Sequence, residues 1–214
     1  MKNLLRVNKE MLFMDREIID NLKINFVGSQ GTGKSTLLES MRKDSEFKGL
    51  KFQTEIVRDL VKKKNLSINE FGDANSQRIF FNAYEKVLQK TGYVSDRCLI
   101  DVHAYTNWLY DHKSTNKEQE LKSLYEEILR QRTSIRNRDF GLVIYFPIEF
   151  DIVADGVRSV NKEFQKEIDG IIIDTLTKFD ISYFTITGSV EQRLKQLKEI
   201  TFSHVQMLQC NEKM

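Results

Sequence analysis

The chain has 214 residues, of which 33 are Lys or Arg and 31 are Asp or Glu, so its formal net charge at pH 7 is +2. Hydrophobic residues make up 40% and charged residues 30% of the chain, a composition typical of a globular domain that excludes a collagen-like, disulfide-stapled or compositionally disordered protein. The near-neutral balance also argues against a protein whose main task is to bind nucleic acid or an anionic membrane surface.

The first 22 residues predict a helical extension that precedes one domain over residues 23–214. Charges are scattered through this extension, so we do not expect a secretory signal peptide, and no apolar run approaches the ~18 residues of a membrane helix. Cys98 and Cys210 are too few for a metal cluster or a disulfide framework. Together these features favour a cytoplasmic location with reduced thiols.

The strongest motif lies at residues 28–35, which read GSQGTGKS and fit G-x-x-x-x-G-K-[ST] at every fixed position. It follows an apolar strand at residues 24–27 and opens a helix at residues 34–42, where backbone N–H groups and the helix dipole favour bound phosphate. This context argues against the alternative, a glycine-rich turn that matches by chance. In such a loop Lys34 reaches the β- and γ-phosphates and the Ser35 hydroxyl binds Mg²⁺. The sequence therefore predicts a site for ATP and Mg²⁺, with nucleotide-binding residues Gly28, Ser29, Gln30, Gly31, Thr32, Gly33, Lys34, Ser35 and Thr36.

Further strands are predicted from Phe52 onward and at residues 93–94, 142–146 and 181–187. These runs are short and rich in β-branched or aromatic residues, and the run at 142–146 is apolar throughout, as in a parallel strand covered on both faces. Because helical patterns separate the strands, we expect an α/β fold, a three-layer sandwich with a five-stranded parallel sheet between helices.

The helical patterns are apolar stripes with a 3.6-residue period. Two helices also carry the start signal of a capping box, Thr115 with Glu118 and Ser189 with Gln192. The stripes comprise Ile79, Phe80, Ala83, Tyr84, Val87 and Leu88; Leu121, Leu124, Tyr125, Ile128 and Leu129; Phe164, Ile168, Ile171, Ile172 and Leu176; and Val190, Leu194 and Leu197.

Charged side chains follow two of the predicted strands. Asp96 and Arg97 come directly after the third strand, where a carboxylate can hold the water shell of Mg²⁺ and a guanidinium can bind a second anionic or polar substrate. The fourth strand runs into Pro147 without a terminal acid, so Asp96 is the best candidate for the metal-holding carboxylate. Glu55 closes the second strand, where it can accept the proton of a substrate hydroxyl. The alternatives are plain ion pairs, Asp96 with Arg97 and Glu55 with Arg58.

Three further residues are expected near this site. The amide of Gln77, at the start of a helix, either reads the edge of a base or is solvated. Asp101 and Tyr105 lie four residues apart on one helical face, so both can face the site, although Tyr105 alternatively packs in the core. Residues 153–166 predict a lid whose positive charge comes from Arg158, Lys162 and Lys166, and the alternative is a solvated basic helix face. The three histidines show no metal-ligand spacing.

Four segments in order along the chain carry a family resemblance: TEIVR at 54–58, Gln77, DRCLIDVHAY at 96–105 and DGVRS at 155–159. With the phosphate-binding motif, they resemble the AAA-like P-loop kinase family that includes the ribosylnicotinamide kinase domain of bacterial NAD regulators. The Asp-Arg pair also resembles the thymidylate kinase and deoxynucleoside kinase groups. The likeness spans roughly residues 23–200.

This resemblance implies a P-loop NTPase fold with a helical lid, Mg²⁺-assisted phosphoryl transfer from ATP, and a small nucleoside or nucleotide substrate. The TGS run at 187–189 is similar to the loop around adenine and adds Gly188 to the nucleotide-binding residues. The implied catalytic residues are Lys34, Glu55, Asp96, Arg97 and Arg158; the metal ligands are Ser35 and Asp96; and the substrate-binding residues are Glu55, Arg58, Gln77, Arg97, Asp101 and Tyr105.

Three functions remain open on the sequence alone. The leading one is phosphoryl transfer to a nucleoside, nucleoside monophosphate or related ribosyl compound. The second is a kinase that acts on a hydroxyl in DNA, such as a hydroxymethylated base, with nucleic acid bound by basic clusters at residues 62–64 and 130–138. The third is a nucleotide-dependent switch without transfer. A homodimer also remains open.

Overall fold

The computed structural model describes residues 20–113, 118–153 and 159–211, with side chains up to residue 209. Within these ranges the chain forms five strands, seven α-helices and two short 3-10 helices. The strands are β1 (Lys23–Val27), β2 (Lys51–Gln53), β3 (Tyr93–Ser95), β4 (Leu142–Tyr145) and β5 (Phe184–Thr185). The helices are α1 (Lys34–Lys43), α2 (Ile56–Lys64), α3 (Ala74–Leu88), α4 (Leu99–His112), α5 (Glu118–Arg136), α6 (Lys162–Lys178) and α7 (Val190–Asn211), and the 3-10 helices are Ser45–Phe47 and Asn69–Phe71.

All five strands form one parallel sheet in the order β2-β3-β1-β4-β5. The central strand is β1, in which Ile24 pairs with Val94 on one side and with Leu142 on the other. The chain winds in opposite directions from β1, and such a switch point opens a crevice at the carboxyl ends of the strands. The α/β prediction with five parallel strands is confirmed, and the phosphate-binding motif begins at this crevice.

Alternate side chains of the strands pack into two cores, one on each face of the sheet. Phe26 and Ile144 belong to the core that α1 and α7 cover. Val27 and Val143 belong to the opposite core, which α3, α4, α5 and α6 cover. Because both faces are covered, the side chains of β3 and β4 are buried throughout. This arrangement is the predicted three-layer sandwich.

Two strands are shorter than predicted. The fifth was expected over residues 181–187, but the Ile181 N–H donates to the Leu176 carbonyl at 2.9 Å and so completes the end of α6 instead of joining the sheet. The second strand ends at Gln53, so Glu55 does not close it. Glu55 instead precedes α2 with a left-handed backbone, at φ 60°.

The capping box before α7 is confirmed. The Ser189 N–H donates to Gln192 Oε1 at 2.8 Å, and the Gln192 N–H donates to Ser189 Oγ at 3.3 Å. Three predicted features lie outside the described residues: most of the N-terminal extension, Thr115 of the other capping box, and residues 154–158 of the lid, which include Arg158.

Candidate functional site

The phosphate-binding loop joins β1 to α1 and needs glycine where it turns most sharply. Gly28 has φ 145°, and a Cβ there would lie 2.6 Å from the Phe146 carbonyl oxygen of the neighbouring strand end. Gly33 has φ 89° and precedes the first residue of α1. Side chains other than glycine adopt these conformations only with strain. The loop therefore has the backbone that a phosphate cradle requires.

Lys34 is buried against its own loop, with 6% of its surface exposed. Its Nζ donates to the carbonyl oxygens of Gly28 at 2.5 Å and Ser29 at 2.7 Å, and to Thr32 Oγ1 at 3.1 Å. Burial, followed by repulsion from Arg97, lowers the pKa of Lys34 to about 7. A bound phosphate would favour the charged ammonium, so this residue suits an anionic ligand.

Two residues of α4 hold the loop from the side of β3. Asp101 accepts hydrogen bonds from the Gly28 N–H at 3.2 Å and from the Cys98 N–H at 2.9 Å. The Tyr105 hydroxyl donates to Gln30 Oε1 at 2.9 Å. Both side chains line the cleft, as their spacing predicted, and Tyr105 also belongs to the hydrophobic core. The described hydrogen bonds of Asp101 are to the protein backbone, so it first of all supports the loop.

Three residues that contact the loop were not predicted. Gln165 and Asp169 of α6 lie at the start of the loop: Gln165 Nε2 donates to the Gln30 carbonyl at 2.6 Å, and Ser29 Oγ lies 3.5 Å from Asp169 Oδ1. Arg193 of α7 donates from Nη1 to the Thr32 carbonyl at 2.6 Å. One sequence feature could have identified Arg193: it lies three residues after Val190, so it shares the helical face of the apolar stripe.

Asp96 follows β3 and carries a carboxylate oxygen suited to a metal-bound water. Its Oδ2 accepts from the Glu55 N–H at 3.4 Å, whereas its buried Oδ1 has no hydrogen-bond partner among the described residues. Burial raises the pKa of Asp96, and Arg97 opposes that shift. The exposed Ser35 lines the same cleft. These two residues fit the predicted Mg²⁺ role.

A metal at this position would need ligands from the nucleotide as well. Within the described ranges no group of three or more His, Cys, Asp or Glu side chains is arranged to hold a metal ion. Phosphate oxygens commonly complete such a coordination shell, since Mg²⁺ is often bound by one or two protein groups together with substrate phosphates and waters. A magnesium ion held by Ser35 and Asp96 would therefore take its remaining ligands from the nucleotide and from water.

The cleft continues from the loop into a pocket between β3, α2, α3 and α4. The empty space inside the whole cleft is about 1060 Å³, which includes the part along the phosphate-binding loop and the open solvent at its mouth. Its walls are mixed, with apolar and aromatic side chains beside a few polar groups. The wall residues beyond the loop are Glu55, Ile56, Val57, Arg58, Ile68, Asn69, Gln77, Phe80, Tyr84, Asp96, Arg97, Asp101, Val102 and Tyr105.

The polar residues of the pocket wall differ in burial and in their interactions with neighbouring side chains. Gln77 is 2% exposed and accepts from Thr106 Oγ1 at 3.3 Å, so the solvated alternative for this residue is wrong. Arg97 lies over the ring of Tyr105, 5.4 Å from its centre, and 3.9 Å from Asp101. Glu55 is exposed at the mouth and lies 3.1 Å from Arg58, in the ion pair that was the alternative to its predicted role as a proton acceptor.

The remaining predicted site residue is Gly188, on the loop before α7. Its N–H donates to both carboxylate oxygens of Glu149, at 3.0 and 3.2 Å. Glu149 also accepts from Arg193, so this loop is connected to the phosphate-binding loop through two side chains. The role of Gly188 at adenine stays a prediction.

The second of the two predicted basic clusters, at residues 130–138, is partly neutralised. Arg130 is paired with Glu127, Arg138 lies 3.6 Å from Glu85, and Arg136 lies over the Phe179 ring at 5.6 Å. Paired and stacked cations offer less charge to a nucleic-acid backbone than free ones. None of the described helices is long and apolar enough to span a membrane.

Comparison with known proteins gives one family match and several structural matches. A family model described as an AAA domain (AAA_28) matches residues 23–193. No match was found among curated proteins. The matching structures include NadR protein in complex with NR, at 13% identity and a TM-score of 0.65, and deoxyadenosine kinase from M. mycoides with bound dCTP, at 17% identity and a TM-score of 0.60.

The two structural relatives differ in how much of them the chain covers. The match covers 87% of this chain but 52% of the NadR chain, so the protein spans about half the length of that relative. For deoxyadenosine kinase it covers 85% of this chain and 100% of the other. At these identities the likeness establishes the fold. Because the family model covers most of the chain, the protein belongs to the AAA_28 family of AAA domains and has the P-loop fold of nucleoside kinases.

Proposed function

We propose that this protein transfers the γ-phosphoryl group of ATP, with Mg²⁺, to a hydroxyl group of a nucleoside or related ribosyl compound. The observation that carries the proposal is a cleft lined on one side by the phosphate-binding loop and continuing into a pocket with apolar and aromatic walls, with Asp96 and Arg97 among its lining residues. Phosphoryl transfer depends mainly on positioning and charge stabilisation, which such a cleft supplies.

The acceptor half of the cleft favours a neutral ligand over a phosphate monoester. Its described cations each lie beside a carboxylate, Arg97 near Asp101 and Arg58 near Glu55. A dianionic phosphate would have to compete with those carboxylates, whereas the apolar walls and the buried Gln77 amide suit a base. This supports a nucleoside as the acceptor, with a nucleoside monophosphate as the second choice.

The chain's own groups would divide the work as follows. Lys34 and the loop N–H groups would bind the β- and γ-phosphates, and Ser35 and Asp96 would hold Mg²⁺, which neutralises phosphate charge. Glu55 would accept the proton as the acceptor oxygen bonds to the γ-phosphorus and the bond to the bridging oxygen of ADP breaks. Arg97 would bind the acceptor, and Arg158 of the lid is proposed to close over the γ-phosphate.

The direct test is transfer from γ-labelled ATP with Mg²⁺ to a panel of ribo- and deoxyribonucleosides, their monophosphates, nicotinamide riboside and hydroxymethylated DNA. We expect label on one nucleoside-type acceptor. The Lys34→Ala variant should show none, whereas Lys43→Ala, an exposed lysine at the end of the same helix, should transfer normally. Label only on DNA would favour the second function, and label on no acceptor despite tight ATP binding would favour a switch.

A further inference from the structure

Arg193 is a buried arginine in a position that the proposed chemistry does not use. It lies in the first turn of α7 with 2% of its surface exposed. The guanidinium lies over the rings of Phe146 and Phe150, 5.4 and 4.9 Å from their centres, and Nη2 donates to Glu149. Burial of a charged group is costly unless its hydrogen bonds are well placed. The partner of Nη1 is therefore informative.

That partner is the carbonyl oxygen of Thr32, inside the phosphate-binding loop, at 2.6 Å. Gln165 makes the equivalent contact two residues earlier, where its Nε2 donates to the Gln30 carbonyl at 2.6 Å. Both side chains are almost fully buried, so solvent does not compete for these contacts. Two side chains from two different helices thus hold two alternate carbonyl groups of one loop.

Because the peptide bond is planar, these carbonyl contacts also determine the direction of the N–H group of the following residue. In a trans peptide the C=O of one residue and the N–H of the next point in opposite directions. A carbonyl drawn towards Arg193 therefore directs the Gly33 N–H away from Arg193, and the Gln165 contact does the same for the Gly31 N–H. Gly31 and Gly33 both line the cleft.

We propose that Arg193 and Gln165 are positioning residues that orient the Gly33 and Gly31 N–H groups towards the phosphates of the nucleotide before it binds. Preorganised donors avoid the cost of reorganisation on binding, so we expect the loss of either side chain to weaken binding although neither is among the residues that line the cleft. The inference rests on one part of the proposed function, the binding of a triphosphate, and does not depend on phosphoryl transfer.

The test measures the Kd of magnesium tripolyphosphate and of magnesium ATP by calorimetry for Arg193→Lys and Gln165→Leu. The lysine keeps the charge but offers a single nitrogen in place of the planar fork that serves the Thr32 carbonyl and Glu149, and the leucine keeps the size without the donor. We expect each variant to raise both Kd values by about tenfold, the order expected for one hydrogen bond. In steady-state assays KM for ATP should rise while KM for the acceptor stays unchanged.

Matched controls are Arg138→Lys, whose arginine is paired with Glu85, and Gln206→Leu on the exposed face of α7. Unchanged tripolyphosphate binding in the two folded test variants would overturn the inference. So would a loss of affinity for ATP alone, which would assign Arg193 to the nucleoside part, or an equal rise in the acceptor KM. If Arg193→Lys fails to fold, Gln165→Leu alone decides the question.

The binding measurement needs no turnover, so it separates the two proposals. A wild-type chain that binds tripolyphosphate but phosphorylates no acceptor would overturn the proposed function. The variants would still report whether the loop is positioned by Arg193 and Gln165.

Discussion

At the scale of single residues, Lys34 and Asp96 of the cleft differ in whether their polar atoms have hydrogen-bond partners. Lys34 satisfies its ammonium with the carbonyl groups of Gly28 and Ser29, so the loop is internally bonded without a ligand. Asp96, in contrast, keeps a buried oxygen without a described partner. An unpaired buried acceptor costs free energy that a ligand can recover. A cation bound at Asp96, as proposed, would therefore give this oxygen a partner.

The first prediction concerns Asp96. Asp96→Asn should lower kcat by about 10²-fold or more because the amide holds Mg²⁺ poorly, while ATP binding without Mg²⁺ should change little. Titration of kcat against Mg²⁺ concentration and calorimetry in EDTA measure the two effects. Asp139→Asn, which removes an exposed acid paired with Lys23, is the control. A normal Mg²⁺ profile in Asp96→Asn would remove Asp96 from the metal site.

The second prediction concerns Gln77, whose buried amide lines the pocket that we propose for the acceptor. Gln77→Leu should raise KM for the acceptor by about tenfold because a hydrogen bond to the base is lost, with KM for ATP unchanged. Initial rates with each substrate varied in turn separate the two constants. Gln206→Leu, on the exposed face of α7, should leave both constants unaltered. A rise in KM for ATP alone would assign Gln77 to the nucleotide and contradict its proposed role at the acceptor.

At the scale of elements, the sequence was informative wherever one face of a helix is buried. The stripes around Phe80, Phe164 and Leu197 lie in helices that pack into the cores. In the stripe around Leu124 the prediction is wrong for two members, because the side chains of Tyr125 and Leu129 are 47% and 44% exposed. The end of a strand was less predictable because it depends on its neighbour. Ile181 looks like a strand residue, yet its N–H completes α6, which only the folded chain reveals.

The third prediction tests the capping box that begins α7. Ser189→Ala should lower the free energy of unfolding by about 1 kcal/mol, because the Gln192 N–H loses its side-chain acceptor. Urea unfolding gives the value. Ser203→Ala, an exposed serine in the middle of the same helix, should have almost no effect. Equal losses in both variants would show that the cap contributes nothing specific.

At the scale of the whole molecule, the cleft exists because of the strand order. The sequence predicted five parallel strands, but not that β3 and β4 flank β1, since spacing along the chain carries no information on order. The residues Asp96 and Arg97 were predictable from their place at a strand end, whereas Arg193 and Gln165 reach the loop only through tertiary packing. Sequence motifs therefore predicted the residues that line the cleft better than the residues that support the phosphate-binding loop from behind.

Stability against acid involves His103, a residue of α4 whose side chain contacts α5. It is 1% exposed, its Nδ1 lies 3.2 Å from Gln131 Oε1 of α5, and its Nε2 lies 3.0 Å from Asn107 Nδ2. Burial lowers the pKa of His103 to about 4. Because the unfolded chain binds this proton near pH 6.5, stability from the neutral imidazole is present above pH 6.5 and is lost as the pH falls towards 4.

The fourth prediction follows from that sign. Between pH 8 and pH 4.5 the wild type should lose about 2–3 kcal/mol of unfolding free energy relative to His103→Gln, which cannot take up the proton. Urea unfolding of both proteins at each pH gives the difference. The comparison is needed because burial raises the pKa of Asp96, Asp101 and Asp169, which acts in the opposite direction. A pH-independent difference between the two proteins would contradict the assignment.

The central place of β1 also has a consequence for synthesis on the ribosome. β1 and the loop after it emerge before both flanking strands, first β3 and then β4, whose Leu142 pairs with Ile24. Until then β1 has an unpaired edge, which is the kind of surface that invites wrong pairing. A nascent chain that stops before β4 should therefore depend on chaperones and bind no nucleotide.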